Sequence, residues 1–252
     1  MVQHIQRLLG SWQELRAGND EPSAEVVGSS ISVPISSQQQ LVLSYCESAP
    51  VGRDQSARRR RSSRALPTAP TLQVYLLEVT LQSASWRHLK VRGQAPSLRD
   101  GFSAMPTTAA NSRESKAVLV FGGRSLLQDP RTGRRASCCF DEVHILDVAT
   151  LQWSELQAFG VVPSPRCQHT CVQGRYGNEC VVYGGRGENV GGSGGGAAPF
   201  GDVHVGRFFE DGGCRWSSVM TSGRTPPARS SHTATQAGPL MIVFGGENDH
   251  AG

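Results

Sequence analysis

Short apolar runs bounded by small, turn-forming residues recur along the chain. Three of them end in a glycine pair: residues 118–121 before Gly122 and Gly123, residues 181–183 before Gly184 and Gly185, and residues 242–244 before Gly245 and Gly246. A degenerate version at residues 41–46 lacks the glycines. The runs are rich in β-branched and aromatic residues, and none sustains the 3.6-residue period of a helix. The pattern therefore predicts an all-β chain built from short strands.

The tryptophans mark an internal repeat, with Trp12, Trp86, Trp153 and Trp216 spaced by 74, 67 and 63 residues. A proline stands ten residues after each tryptophan, and seven residues after the last three stand Gly93, Gly160 and Gly223. Thirteen residues after the same three stand Arg99, Arg166 and Arg229, and sixteen after the last two stand His169 and His232. Phe102 takes the histidine's place in the second repeat. Each unit has room for four strands, the size of a propeller blade.

The four strands, labelled a to d, have distinct signatures. Strand a carries Arg-x-x-His, strand b ends in Gly-Gly, strand c ends in an acidic residue, and strand d carries Trp. This order resembles the kelch repeat of the galactose-oxidase-like central domain superfamily. The resemblance covers residues 12–246 and implies a kelch-type β-propeller with strand a nearest the axis. The first repeat departs most, because Glu25 and Gly28 stand where Arg and His are expected.

The repeat count predicts an incomplete propeller. We expect a lone strand d at Trp12, blades at about 26–90, 99–157 and 166–219, and a partial blade at 229–246. Kelch propellers generally have more blades, so this chain is expected to be a fragment or to need further blades or another chain to close the ring. The expected exceptions to regular structure are a disordered basic insertion at 50–70 and flexible loops at 124–139 and 186–200.

Strand alternation places the b–c loops and the d–a connections on one face, where arginines are predicted to cluster. Arg99, Arg166 and Arg229 begin strand a, Arg124 and Arg186 follow glycine pairs, and the basic insertion adds Arg58, Arg59, Arg60 and Arg61. We interpret these residues as candidates for binding a protein partner. The planar fork of arginine suits carboxylate and phosphate, so the expected ligand is an acidic or phosphorylated segment.

The net charge of +4 is unevenly distributed. Residues 53–64 carry +5 and residues 124–135 carry +3, which leaves −4 for the remainder of the chain. Basicity confined to two short segments argues against a nucleic-acid-binding face. The arginine run at 58–61 is open to two interpretations: a nuclear import signal or anion-binding patch, and a solvated insertion.

Two motifs invite a chemical interpretation, and each has a structural alternative that we favour. Cys167, His169 and Cys171 alternate and could supply three zinc ligands, but His169 is also the repeat histidine and no fourth ligand has suitable spacing. The segment 185–191 is glycine-rich like a phosphate-binding loop, yet it lacks Gly-Lys-Ser/Thr and a following helical pattern. We predict packing for the first motif and a flexible loop for the second, and therefore no metal and no cofactor.

Catalysis has little support in the sequence, which contains no His-Glu-x-x-His and no Cys-x-x-Cys. Copper-radical oxidases share the resemblance, but Tyr45, Tyr75, Tyr176 and Tyr183 fall on strand or turn positions without a ligand set. We expect a non-enzymatic protein-interaction module, a scaffold or substrate adaptor. The alternative is an accessory propeller of a larger enzyme whose catalytic domain lies outside this chain.

The remaining expectations concern location. The seven cysteines show no disulfide framework, which is typical of reduced thiols in a cytoplasmic protein. The arginine run leaves a nuclear location open. No apolar run approaches the roughly 20 residues of a membrane helix, so no membrane association is expected.

Overall fold

The computed structural model describes residues 30–44, 72–80, 82–109, 112–128, 135–188, 197–209 and 211–248. All of the secondary-structure elements in these ranges are β-strands, so the prediction of an all-β fold is confirmed. The described ranges contain no helix with the length and apolar character needed to span a membrane. The strand predicted at Trp12 and the basic insertion at 50–70 lie outside the described residues.

Blade 1 is a four-stranded antiparallel sheet. In sheet order its strands are β1 (Ser30–Pro34), β2 (Gln39–Ser44), β3 (Gln73–Val79) and β4 (Ala84–His88). Trp86 lies on the fourth strand, directly opposite Leu77 of β3. Because neighbouring strands alternate in direction, the connections emerge at the two ends of the sheet in turn.

Blades 2 and 3 have the same strand order. Blade 2 consists of β6 (Ser103–Ala109), β7 (Ser112–Phe121), β10 (Val143–Asp147) and β11 (Gln152–Gly160). Blade 3 consists of β12 (Thr170–Gln173), β13 (Glu179–Tyr183), β14 (Val203–Phe208) and β15 (Gly213–Val219). Trp153 stands opposite Leu146, and Trp216 stands opposite Gly206. Each tryptophan therefore occupies strand d and pairs with strand c, as Trp86 does.

The last sheet of the described chain is a two-stranded hairpin, which we call blade 4. It consists of β16 (Thr233–Ala237) and β17 (Leu240–Phe244), the counterparts of strands a and b. Phe244 precedes a glycine pair, as Phe121 does in blade 2. The two side chains differ sharply, because Phe121 is fully buried and Phe244 is 79% exposed.

The b–c connection of blade 2 corrects one expectation. Residues 124–139 were expected to form a flexible loop, but β8 (Arg124–Gln128) and β9 (Arg135–Cys139) pair antiparallel over five residues each. A main-chain ladder therefore organises both arms of this connection. The basic composition of this segment suggested a loop. Side-chain charge was a misleading guide, because it carries no information about where backbone hydrogen bonds form.

Parallel strand pairs join neighbouring blades. After strand d, the short strand β5 (Arg92–Gly93) runs beside Gln152 and Trp153 of β11, and the end of β11 runs beside the start of β15. Gly93 and Gly160 both have φ of +85°, and a Cβ there would lie 2.1 Å from Trp153 O and 2.4 Å from Trp216 O. Only glycine allows the connection to approach the next tryptophan this closely.

The core lies between the blades. On β7, Leu119 and Phe121 face blade 3, where they share a cluster with Trp216. Val118 and Val120 face blade 1, where they share a second cluster with Trp153. A strand buried on both faces needs a continuous apolar run, which explains the unbroken hydrophobic segments that precede the glycine pairs of blades 2 and 3.

Candidate functional site

The strand register brings the start of strand a, the end of strand b and the start of strand c to one end of each blade. In blade 2, Phe121 pairs with Ser103 on one side and with Val143 on the other. Tyr183 has the corresponding pairs in blade 3. The d–a connections reach the same end. We call it the loop end, and its described residues are 94–102, 122–128, 135–142, 161–169, 184–188, 197–202 and 220–232.

Arg166 is buried at the loop end and ties three segments of blade 3 together. Its Nη1 and Nη2 donate to the two carboxylate oxygens of Asp202 at 2.7 and 2.8 Å. Nη1 also donates to Gly184 O at 3.0 Å, and Nε donates to Ser164 O. The guanidinium carbon lies 4.3 Å from the centre of the Phe200 ring, a cation–π contact.

Arg99 makes equivalent contacts in blade 2, but with one carboxylate oxygen instead of two. Its Nη2 donates to Glu142 Oε2 at 2.7 Å, and its Nη1 donates to Gly122 O at 3.2 Å. The guanidinium carbon lies 4.0 Å from the centre of the Phe140 ring. Burial lowers the pKa of Arg99, and the hydrogen bond to Glu142 counters that effect. Such a group needs its carboxylate partner, because an unpaired buried charge is costly.

A histidine on strand c completes each arginine–carboxylate pair. His204 Nε2 lies 2.9 Å from Asp202 Oδ2, and its Nδ1 lies 3.2 Å from Val161 O on the preceding d–a connection. His144 stands in the same relation to Glu142. Partial burial opposes ionisation of both carboxyls, but hydrogen bonds from arginine and histidine outweigh it and hold both pKa values below their ordinary range.

The sequence reasoning missed this Arg–carboxylate–His cluster, although the sequence carries a signal for it. The tripeptides Glu142-Val143-His144 and Asp202-Val203-His204 both open strand c. The valine and histidine belong to the alternating pattern that predicts a strand. The acidic residue lies just outside that pattern, although it stands two residues ahead of each histidine.

The repeat histidines of strand a connect adjacent blades. His169 Nε2 lies 2.7 Å from Ser103 Oγ of blade 2, and His232 Nε2 lies 2.8 Å from Thr170 Oγ1 of blade 3. Burial, with smaller contributions from Arg166 and His232, lowers the pKa of His169 to about 3. His169 is therefore a neutral packing group.

The Cys-x-His-x-Cys motif is dispersed in the fold. Cys171 Sγ lies 3.7 Å from Met105 Sδ in the core, whereas His169 Nε2 is engaged by the Ser103 hydroxyl. Over the described ranges, no three His, Cys, Asp or Glu side chains are grouped so that they could hold one metal ion. These contacts are those of packing side chains.

Three further arginines at the loop end are less buried. Arg124 is 38% exposed, and its Nε donates to Asp100 Oδ1 at 2.8 Å, which raises its pKa. Arg186 Nε donates to Ser230 Oγ at 2.8 Å, and its Nη2 lies 3.4 Å from Glu247. Arg229 donates through Nη1 to Gly245 O at 2.7 Å and through Nε to Pro227 O at 3.1 Å.

The nine arginines predicted to bind a partner therefore fall into three groups: two that are buried, three that are less buried and four that lie outside the described residues. Arg99 and Arg166 are 1% and 0% exposed, with most of their donors used inside the blade. They are internal ties, and the expectation that they ring an open mouth is corrected. The binding role of Arg124, Arg186 and Arg229 stays a prediction. Arg58, Arg59, Arg60 and Arg61 lie outside the described residues.

A comparison with known families supports the repeat. Residues 67–251 match the family of the KLHDC2/KLHL20/DRC7 Kelch-repeats domain. The match covers most of the chain and includes blades 2 and 3 completely.

Two curated relatives illustrate how the repeat occurs in longer proteins. Acyl-CoA-binding domain-containing protein 4 of Arabidopsis thaliana is 30% identical over 172 residues, which are 67% of this chain and 21% of that protein. The Rab9 effector protein with kelch motifs of Xenopus laevis is 24% identical over 164 residues, 65% of this chain and 39% of that protein. The chain therefore spans between about a fifth and two fifths of the length of these relatives.

A solved structure shares the arrangement of strands. A chain in the cryo-EM structure of RAG in complex with one melted RSS and one unmelted RSS superposes with a TM-score of 0.60 at 14% identity. The superposition covers 94% of this chain and 63% of that chain. At this identity the similarity shows the fold alone.

Proposed function

This chain belongs to the kelch-repeat family, and from that premise we propose that it is a non-enzymatic protein-interaction module whose loop end binds an acidic or phosphorylated segment of a partner. One relative is a Rab9 effector with kelch motifs, which supports a role in binding proteins. The repeat itself occurs in proteins with different names and activities, so the nature of the partner has to be argued from the site.

The observation that carries the proposal is the partly exposed guanidinium of Arg124 at the loop end. Among the described residues it forms one side-chain hydrogen bond, from Nε to Asp100. Its two Nη groups can therefore donate to an incoming carboxylate or phosphate, with the fork geometry that arginine favours. Ion pairs near the surface contribute only about 0.2–1 kcal/mol to stability. Breaking the bond between Arg124 and Asp100 would therefore subtract little from the free energy of binding a partner.

Arg186 extends this cationic surface into blade 3. One of its contacts is with the carboxylate of Glu247, whose side chain is 71% exposed, at 3.4 Å. A phosphate with two negative charges competes well with a solvated carboxylate for such a guanidinium. Arg124 and Arg186 are equivalent in the repeat, because their main chains pair with Asp100 and Cys167 respectively.

The connections from the same end supply additional positive charge. β2 ends at Ser44, which pairs with Gln73 of β3, so the segment between them leaves blade 1 where strand b ends. That segment contains the +5 stretch at 53–64. Positive charge beside a binding surface accelerates the encounter with an anionic partner, and salt weakens the effect.

A peptide array tests the proposal. The probes are peptides with clustered Asp and Glu, the same peptides with phosphoserine, and neutral peptides of equal length. We expect the protein to select the anionic peptides. The double variant Arg124→Ala with Arg186→Ala should bind them roughly 100- to 10,000-fold more weakly, because each of the two lost charged hydrogen bonds contributes about 1.5–3 kcal/mol.

The matched control is Arg175→Ala. Arg175 is exposed in the a–b turn of blade 3, at the end opposite the loop end, so this variant should bind as the natural chain does. Replacing Arg58, Arg59, Arg60 and Arg61 by alanine should mainly slow association and flatten its salt dependence. Equal binding of anionic and neutral peptides, or full affinity in the Arg124/Arg186 double variant, would refute the proposal.

A further inference from the structure

The thiols of Cys139 and Cys167 meet at the loop end, although they belong to different blades. Cys139 ends β9 in the b–c connection of blade 2, and Cys167 precedes strand a of blade 3. Both residues contact the carbonyl oxygen of Arg186, which lies 4.0 Å from Cys139 Sγ and accepts the backbone N–H of Cys167 at 2.9 Å. The two side chains also share a hydrogen bond with each other. Both are free thiols, so they can react together.

Two arginines flank this pair. Arg124 stands directly opposite Cys139 in the ladder between β8 and β9, and Arg186 pairs with Cys167 in an antiparallel bridge. The hydrogen bond from Cys139 lowers the pKa of Cys167, while burial and the charge of Asp100 oppose it. The charges of Arg124 and Arg186 add to the lowering. The thiolate is the nucleophilic form of cysteine, so Cys167 is the nucleophile of the pair.

The environment of Cys139 has the opposite effect. Its hydrogen bond with Cys167, followed by burial and the negative charges of Cys167 and Glu188, raises the pKa of Cys139. The carboxylate of Glu188 accepts the backbone N–H of Cys139, which places this negative charge beside the thiol. One sulfur therefore releases its proton readily while its neighbour keeps its own. This asymmetry is typical of a nucleophilic thiol with a resolving partner.

The remaining described cysteines have different surroundings. Cys171, Cys180 and Cys214 lie in the apolar cluster between blades 2 and 3, where burial raises the pKa of Cys180 and of Cys214. Buried thiols in apolar surroundings are inert. Cys138 is partly exposed on β9, and burial together with the charge of Glu188 raises its pKa.

We propose that Cys139 and Cys167 form an oxidation site at which a small hydroperoxide, such as hydrogen peroxide, converts the two thiols into a disulfide. The thiolate of Cys167 attacks the O–O bond and becomes a sulfenic acid. The leaving hydroxide takes up the proton that Cys167 had lost and departs as water. The sulfur of Cys139 then attacks the sulfur of Cys167 and gives up its proton to the displaced hydroxyl, which leaves as a second water. Two thiols are thereby oxidised by two electrons, and one peroxide is reduced to two waters.

Burial selects the oxidant and the partner sulfur. Cys139 is 6% exposed and Cys167 is 1% exposed, so only a small molecule reaches either sulfur in the folded chain. The disulfide fastens the end of β9 to the start of blade 3, between the main chains of Arg124 and Arg186. The inference goes beyond the binding proposed for these arginines and does not rest on it.

Peptide mapping of the full chain under non-reducing conditions tests the proposal. The folded protein is treated with hydrogen peroxide, its remaining thiols are alkylated, and it is digested with trypsin. Cleavage after Arg135, Arg166 and Arg175 separates Cys139 from Cys167, in the segments 136–166 and 167–175. We expect the two segments to be joined by a bond that dithiothreitol cleaves, and fragment spectra to assign that bond to Cys139 and Cys167.

Two serine variants identify the sulfurs, with circular dichroism to check their folding. Cys138→Ser is the matched control, because Cys138 adjoins Cys139 on the same strand and is the more exposed of the two. This variant should form the link as the natural chain does, whereas Cys139→Ser should lose it. In Cys139→Ser the oxidised Cys167 lacks its resolving partner, so it should accumulate as a sulfenic acid that dimedone labels.

The natural chain decides the proposal even if a variant misfolds. Absence of the link after peroxide treatment would overturn it, as would a link that forms only once urea has unfolded the protein. A link made through Cys138 or Cys171 would overturn it as well. Dimedone labelling of Cys138 in place of Cys167 in the Cys139→Ser variant would show that Cys167 is not the nucleophile.

Discussion

Arg166 and Asp202 form an ion pair in which two guanidinium nitrogens meet two carboxylate oxygens, at 2.7 and 2.8 Å. The arginine side chain is fully buried, while the aspartate remains 37% exposed. The pair links the start of strand a to the residue that opens strand c.

Replacing Arg166 by alanine should lower the free energy of unfolding by about 3–5 kcal/mol, because it strands a partly buried carboxylate and removes the ties to Gly184 and Ser164. Replacing the exposed Arg124 by alanine should cost only about 0.2–1 kcal/mol. Urea unfolding of the two variants gives the comparison. Equal losses would mean that Arg166 is not an internal tie.

Stability should fall as the pH is lowered from 7 to 5, in part through His169. Its pKa is about 3 in the folded chain and 6.5 ordinarily, so between these values the unfolded state binds one proton more. The free energy of unfolding should therefore decrease by about 1.4 kcal/mol per pH unit below the ordinary pKa, or about 2 kcal/mol at pH 5. Urea titrations of the natural chain and of His169→Gln at both pH values isolate this contribution, and an unchanged pH dependence in the variant would contradict it.

Gly160 and Gly223 occupy the same repeat position but should respond differently to alanine. At Gly160 a Cβ would lie 2.4 Å from Trp216 O, whereas at Gly223 no atom lies within 4 Å of it. Both have φ above +80°, so backbone strain is common to both variants. We expect a loss of about 2–6 kcal/mol for Gly160→Ala, from strain plus overpacking, and about 1–2 kcal/mol for Gly223→Ala. Thermal melts that rank the two variants in the reverse order would show that the connection does not dock on Trp216.

Phe121 and Phe244 offer a parallel comparison in the core. Phe121 is fully buried and contacts Trp216 at a ring separation of 5.0 Å, whereas Phe244 is 79% exposed. Phe121→Ala should cost about 3–5 kcal/mol, and Phe244→Ala less than about 1 kcal/mol. Denaturant titration of both variants measures the difference. A large loss for Phe244→Ala would place this side chain in a packed interface.

The fold could be predicted from the sequence because its signals are local. A strand that is buried on both faces requires consecutive apolar residues. A connection that packs against the tryptophan of the next blade requires a glycine seven residues after the tryptophan of its own blade, as in Gly93 and Gly160. Both requirements are visible within a few positions. The pairing of β8 with β9 could not be predicted, because the charged residues of these strands carry no information about which backbone groups pair with each other.

The roles of the arginines were harder to predict because their partners are distant in the chain. Glu142 follows Arg99 by 43 residues, and Asp202 follows Arg166 by 36. An arginine at the start of strand a suggests an exposed, positively charged surface as long as its carboxylate partner is unknown. Exposure then separates Arg124 and Arg186, which remain candidates for partner binding, from Arg99 and Arg166.

The close docking of Gly93 on Trp153 has a consequence for how such repeats can be duplicated or shuffled. A cassette cut from strand a to strand d would separate each glycine from the carbonyl against which it fits. A cassette cut from one tryptophan to the next, such as residues 86–153, keeps Gly93 and Trp153 together. The transferable unit of this propeller is therefore offset from the visible blade, and chimeras joined at tryptophan should retain the contacts between neighbouring sheets.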